Sequence, residues 1–319
     1  MDEIKKIAPE LKFMGKTLKI VDFSLSPKKL KVARGVISLL FKNKRRNGYT
    51  RKSVYIGENK SLRLCIFSKT ASTAKNKPLI FWIHGGGYGM GIPEYDFCFM
   101  DKFFAVSDCV IVSPDYTLSY QSKYPKAIED CYSGLVWASE NALSLGCNPN
   151  SIIVGGDSAG GGLSFALCLL ARDKGGPKIA FNMPIYPMID DRYTATNRDN
   201  NAPVWNTKCN ENAWKIYLGE ENYQKENLSY YAAPARCEDY TGLPPMISYV
   251  GDIDPFLAET KTAFEKLDKA GIENKLLVLN GCFHGFDIVC PKSEPSKQAI
   301  AFLQENYLLF LQKYCGYKK

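Results

Sequence analysis

Short, almost continuously apolar runs alternate with longer helical patterns along this chain, and that alternation leaves few folds open. LIFWI (Leu79–Ile83), CVIVS (Cys109–Ser113), SIIVG (Ser151–Gly155), KIAFNMPIY (Lys178–Tyr186), MISYV (Met246–Val250) and KLLVL (Lys275–Leu279) read as strands buried on both faces. Helical patterns at Pro125–Leu145, Ala159–Lys174, Phe256–Ala270 and Ser296–Tyr314 separate or follow them, and Gly175 and Gly271 supply C-terminal stops. Such alternation argues for an α/β fold, a mostly parallel sheet with helices on both faces. SVYIG (Ser53–Gly57) and LRLCIF (Leu62–Phe67) read as an antiparallel pair that opens the sheet. With 319 residues, 45% of them hydrophobic, the chain can bury one large core.

Two regions break the alternation. Residues 1–52 read as helices and loops without a strand partner. Residues 187–242 are rich in Asn, Tyr, Pro and Trp and carry one short helical pattern, around Asn212–Leu218. Long segments of this kind are usually functional. The expected division is an N-terminal cap segment over 1–52 and one α/β domain over 53–319, with 187–242 contributing to the cap.

The net charge of +8 is unevenly placed: Phe23 to Gly57 holds ten Lys or Arg residues and no Asp or Glu. A basic stretch can meet nucleic acid or an acidic membrane surface. No nucleic-acid-binding motif accompanies it, so a solvated helical face is expected, with no nucleic-acid partner. The eleven cysteines include no CxxC spacing for zinc, and Cys65, Cys109 and Cys168 sit inside apolar runs as small hydrophobes. MDEIKKIAPE lacks the apolar run of a signal peptide, and VISLLF (Val36–Phe41) is too short to span a bilayer. A reducing cytoplasm, no membrane span and no metal or organic cofactor are expected.

One junction carries chemistry. SIIVG ends in Gly156-Asp157-Ser158-Ala159-Gly160, and AGGGLSFALCLLARDK continues as a buried helix. Ser158 therefore stands on a strand-to-helix turn in a G-x-S-x-G frame, the setting of a nucleophile elbow. Glycine neighbours let so sharp a turn pack closely, and the Ala159 N–H at the helix start faces a developing oxyanion. No GK[ST] follows, which excludes a phosphate loop of the P-loop type. HGGGYGMG (His84–Gly91) follows LIFWI directly, and the bare N–H groups of Gly86 and Gly87 would complete an oxyanion hole with Ala159.

A serine nucleophile needs a base, and the chain has two histidines. His84 belongs to the glycine loop, where it orients backbone. That leaves His284, in GCFHGFD. On a nucleophile elbow the acid falls between serine and histidine in chain order, where YVGDIDPF offers Asp252 and Asp254. Residues two apart on a strand share a face, so alternation does not choose between them.

These motifs, taken together, resemble the hormone-sensitive-lipase-like branch of the α/β-hydrolases, the carboxylesterases with an HGGG loop. The resemblance runs from about Ser53 to the C-terminus. It takes in HGGG, DYTLSY…YPKAIED (Asp115–Asp130), GDSAGG, PMIDDR (Pro187–Arg192), APAR (Ala233–Arg236), GLPP (Gly242–Pro245), GDIDPF and HGF. It implies an α/β-hydrolase fold with a helical cap and assigns the acid to Asp254, the Asp before Pro. Asp252 replaces the usual Glu, Phe256 the usual Leu, and Thr117 departs from the usual DYRL.

The expected activity is hydrolysis of small-molecule carboxylic esters with short-to-medium acyl chains. Ser158 would be nucleophile, His284 base and Asp254 acid, with Gly86, Gly87 and Ala159 as oxyanion hole. A peptidase or amidase with the same triad and a non-catalytic ligand-binding protein are the alternatives. A homodimer is left open. Tyr88, Trp205, Trp214 and the N-terminal segment are candidates to line the substrate pocket, each against a role in the core.

Overall fold

Eight strands form a single sheet in the order β1-β2-β4-β3-β5-β6-β7-β8. They are β1 (Tyr49–Ile56), β2 (Leu62–Lys69), β3 (Lys77–Ile83), β4 (Val110–Asp115), β5 (Cys147–Asp157), β6 (Phe181–Ile185), β7 (Met246–Gly251) and β8 (Asn274–Leu279). These boundaries come from a computed structural model, which describes residues 3–44 and 46–317. Arg45 of the basic run and the first two residues of the N-terminal stretch lie outside the described residues. The pairs β1·β2 and β2·β4 are antiparallel and every other pair is parallel, so β2 alone runs against the rest.

The helices, in chain order, are α1 (Glu3–Lys6), α2 (Lys12–Leu18), α3 (Pro27–Phe41), α4 (Phe97–Val106), α5 (Lys126–Glu140), α6 (Ala159–Asp173), α7 (Thr207–Leu218), α8 (Leu257–Lys269), α9 (Phe286–Val289) and α10 (Glu294–Cys315). Alternate residues of β3 feed the two sides of the sheet, as a period of two requires. Leu79, Phe81 and Ile83 pack with α5 and α6 through Ile128, Leu135, Leu163 and Leu167. Ile80 and Trp82 pack with α4 and α10 through Phe99, Phe103, Leu303 and Tyr307. Each large apolar side chain removed from water in this way contributes about 1.5–3 kcal/mol. A smaller core joins α6 to α8 through Phe165, Leu169, Phe264 and Leu267.

Two expectations need correction. The cap boundary at residue 52 falls inside a strand, because Tyr49–Lys52 pair with Ile66–Lys69 of β2. The strand-free segment therefore ends before Tyr49. KLLVL is not buried on both faces: β8 is the outermost strand of the sheet, and Lys275 and Val278 are exposed. The strand touches α8 on one face and α10 on the other, and its place at the sheet's edge leaves both faces only partly covered.

The N-terminal segment does not stand apart from the sheet's loops. Ala8 N–H donates to Gly281 O at 2.9 Å, and Leu11 is fully buried in the core that holds Phe283. Arg34 of α3 donates to Asp115 Oδ1 at 2.8 Å and to Gly91 O at 3.3 Å. Behind that contact lies a buried ion network, in which Arg63 grips Glu94 through both guanidinium ends at 2.7 and 3.0 Å and also meets Asp115. The segment is thereby tied to the loop after β3 and to the loop after β8.

Candidate active site

The carboxyl ends of β3, β5, β7 and β8 converge at one edge of the sheet, the place where open α/β sheets put their ligands. Ser158 occupies the step from β5 into α6 with φ +55° and ψ −120°, a conformation that costs a non-glycine residue energy and persists only where the surroundings hold it. Here the surroundings are tight. A β-carbon on Gly160 would stand 2.1 Å from Ile83 O, and one on Gly156 2.4 Å from the same atom. The glycines around Ser158 are thus required because the elbow lies directly on the end of β3.

Ser158 Oγ is 2.8 Å from His284 Nε2, and His284 Nδ1 is 2.7 Å from Asp254 Oδ2. All three side chains are buried. A carboxylate only accepts, so Nδ1 donates to Asp254 and Nε2 is left to accept the Ser158 hydroxyl proton. Asp254 is held in turn by Phe256 N–H, which donates to its Oδ1 at 2.9 Å. The imidazole is wedged edge-on by Tyr186 at 4.9 Å and by Phe256 at 5.0 Å between ring centroids. This arrangement can move a proton from the serine hydroxyl onto a ring whose tautomer is fixed.

The HGGG loop reaches the same point. Gly86 and Gly87 have φ +111° and +58°, and a β-carbon on Gly87 would lie 2.5 Å from the Trp205 ring. Among the described residues, the N–H groups of Gly86, Gly87 and Ala159 donate to no protein acceptor. Gly85 N–H, by contrast, donates to Asp157 Oδ1 at 3.0 Å. His84 does not join Ser158: its Nδ1 meets Gly85 O at 2.9 Å and its ring stacks on Tyr116 at 4.4 Å. Complete burial pushes its pKa down to about 4, so it is a neutral ring that shapes the loop.

A match to the α/β-hydrolase fold family spans residues 80–288, a stretch that contains every one of these groups. The chain belongs to that family. Among curated proteins, this chain is similar to Esterase LipI of Mycobacterium tuberculosis, 30% identical over 66% of this chain and 65% of that protein. It is also similar to Carboxylesterase NlhH of the same species, 31% identical over 66% of this chain and 67% of that one. The aligned region is thus about two thirds of these relatives' length, and just under that for LipI. Over nearly its whole length the chain superposes on a solved bacterial heroin esterase, with a TM-score of 0.86, 28% identity, and 97% and 99% of the two chains covered.

Asp252 and Asp254 part company because the chain leaves β7 at Gly251 and turns. Asp252 Oδ1 accepts Gly281 N–H at 2.7 Å and so braces the loop that carries His284, while Asp254 alone reaches the ring. The alternation ambiguity disappears once the pair is no longer on a strand.

The pocket beside Ser158 holds about 220 Å³ and its walls are mostly apolar: Phe23 and Ile37 from the N-terminal segment, Met90, Trp205 and Ile288 among them. Of the sequence candidates, Trp205 and the N-terminal Phe23 line it. Tyr88 and Trp214 do not; they are buried in the core, where Tyr88 stacks on Tyr217 at 4.0 Å between centroids. Val204 supports Trp205 from an unusual backbone conformation for a β-branched residue, φ +66°.

Several polar groups around the site carry no signal in the sequence. Asp157, pushed up to about 6 by burial, holds the Gly85 backbone; Asp96 accepts from Trp82 Nε1 at 2.9 Å nearby. Asp287 accepts from Tyr186, Tyr249 and Lys102 at 3.0, 2.6 and 2.8 Å. Burial alone would raise its pKa, but the Lys102 ammonium and the two phenols hold it below the usual range. Among the described residues, no helix is long and apolar enough to cross a membrane and no cluster of metal-ligating side chains occurs.

Proposed function

We propose that this protein is a serine carboxylic-ester hydrolase acting on compact, uncharged esters with short-to-medium acyl chains. The observation that carries the reading is the unbroken chain Ser158–His284–Asp254, with both links at hydrogen-bond length, at the mouth of an apolar pocket. Ser158 Oγ attacks the ester carbonyl carbon as His284 Nε2 takes its proton. Asp254 stabilises the imidazolium, and the N–H groups of Gly86, Gly87 and Ala159 receive the carbonyl oxygen as it becomes an oxyanion. The tetrahedral intermediate collapses, and His284 returns the proton to the departing alkoxide. Water, deprotonated by the same ring, then attacks the acyl-Ser158 carbonyl and releases the acid.

Pocket size supports the choice of substrate. A cavity of about 150 Å³ holds a benzene molecule, so 220 Å³ takes a somewhat larger group but not a long chain. Phe23 and Ile37 come from the segment before Tyr49 and Trp205 from 187–242, which supports a cap role for both regions. All eleven cysteines are free and eight are buried, in keeping with residence in a reducing cytoplasm.

Turnover of a nitrophenyl ester and of the matching anilide tests the reading. The ester is hydrolysed and the anilide far more slowly. Equal rates would make the protein an amidase, and ligand binding with no turnover of either would make it a binding protein.

A further inference from the structure

Helix α3 is apolar on two sides, and only one of them is used. Leu30 is buried, Phe41 is half-buried against Tyr95, and Ile37 lines the pocket. Val32, Val36, Leu39 and Leu40, spaced i, i+4, i+7, i+8, form a second stripe on the opposite face. That stripe lies in water, with Val32 66% and Leu39 83% exposed. A surface helix normally keeps this face polar, so the stripe asks for a partner.

The charges around it say which. Lys28 and Lys29 stand one turn before Val32, and Lys42 and Lys44 follow Leu40; all four are exposed, as is Lys31. The described arginines of the same stretch are used inside the molecule, Arg34 on Asp115, Arg46 on Asp101 and Arg51 on Glu94. The lysines form no salt bridge among the described residues. No acidic residue occurs between Phe23 and Gly57. Aliphatic side chains bordered by uncompensated lysines are the pattern of a helix that lies in the plane of an anionic bilayer.

We propose that the outer face of α3 docks on an anionic phospholipid membrane surface, with Val32, Val36, Leu39 and Leu40 entering the acyl boundary and the lysines meeting the headgroup phosphates. Other partners fit less well. Nucleic acid would satisfy the lysines and leave the aliphatic stripe in water. A second copy packed face to face would set lysines against lysines, and four aliphatic side chains fall well short of the roughly 800 Å² per partner of a stable interface. Docking would place the pocket one helix diameter, about 10 Å, from the lipid, because Ile37 lines it from the helix's other side. Lipid-dissolved esters would then be concentrated beside Ser158.

The test is co-sedimentation of the full chain with vesicles of phosphatidylcholine alone and of phosphatidylcholine with about one third phosphatidylglycerol. It needs no turnover, so it stands or falls apart from the esterase reading. The wild type should partition onto the anionic vesicles, weakly or not at all onto neutral ones, and be released by high salt. Each lysine near the surface multiplies partitioning by about fivefold, so K28E/K29E/K31E should lose at least a hundredfold. V36D/L39D should lose at least about tenfold while hydrolysing a soluble nitrophenyl ester at the wild-type rate. Equal binding to both vesicle types, or none, would overturn the proposal. So would a dimer in solution that V36D/L39D abolishes without any vesicle binding, or RNA binding that V36D/L39D leaves intact.

Discussion

Replacing Asp254 by Asn removes one charge and almost no volume, yet the geometry makes it a severe change. Asn keeps a carbonyl oxygen for Phe256 N–H, which now donates to Asp254 Oδ1 at 2.9 Å, so the turn after β7 should survive. The amide NH2 then faces His284 Nδ1, where Asp254 Oδ2 accepts at 2.7 Å. Two donors cannot bond, so the ring proton moves to Nε2 and points at Ser158 Oγ. The base is then in the wrong tautomer, and the imidazolium loses its counter-charge. Losses of about ten-thousand-fold in kcat are typical of that defect, equivalent to roughly 5 kcal/mol of barrier. Asp252→Asn is the control. Its oxygen accepts Gly281 N–H at 2.7 Å, an amide oxygen can do the same, and the loss should stay below about tenfold. The assay is kcat/KM on nitrophenyl acetate for both variants, with circular dichroism to confirm folding. An Asp254→Asn protein that keeps more than a tenth of wild-type activity, or an Asp252→Asn protein that is the more damaged, would refute the reasoning.

Glu94→Gln should destabilise the fold by about 3 kcal/mol in urea titrations, because it leaves the buried Arg63 guanidinium with Asp115 as its remaining counter-charge; a loss under about 1 kcal/mol would contradict the buried network. His84 is neutral when folded, with a pKa pushed down to about 4 from 6.5, so the unfolded chain binds the extra proton as pH falls through that window. The wild type should therefore lose up to about 3 kcal/mol relative to His84→Asn between pH 6.5 and pH 4, and parallel stability–pH curves for the two would count against it. Trp205→Ala opens the wall beside Gly87, and the octanoate-to-acetate ratio of kcat/KM should rise by at least about tenfold; an unchanged ratio would remove Trp205 from the acyl site.

How much of this could be read in the sequence depended on how local each signal was. The strands β3 to β8 were visible as apolar runs, since a strand buried in a parallel sheet has to be apolar throughout, whereas the largely exposed β1 was legible only in its second half. β8 shows the weakness of that signal, because an outer strand only partly covered on its two faces reads much the same. α4 was not among the helical patterns named, as Phe97, Phe99, Met100, Phe103 and Phe104 crowd its sequence and blur the helical period. Ser158, His284 and the glycine loop were legible because nucleophile elbows and oxyanion loops demand particular residues at fixed spacing. Asp254 was not separable from Asp252 on strand geometry, since the turn that divides them lies past the strand. Tyr88 and Trp214 look like pocket residues by type, and only three-dimensional packing shows them filling the core. Asp157, Asp96 and Asp287 were silent for a similar reason: a buried carboxylate is defined by partners that lie far away in the chain.

The central claim is that Ser158 and His284 act as one device on an ester carbonyl. The most direct measurement is steady-state hydrolysis of nitrophenyl acetate by wild type, Ser158→Ala, His284→Ala and the double variant. Each single variant should lose at least about ten-thousand-fold in kcat, and the double no more than about a further threefold, because removing either member already disables the pair. Near-native turnover by Ser158→Ala, or a double variant whose loss equals the product of the two single losses, would contradict the account.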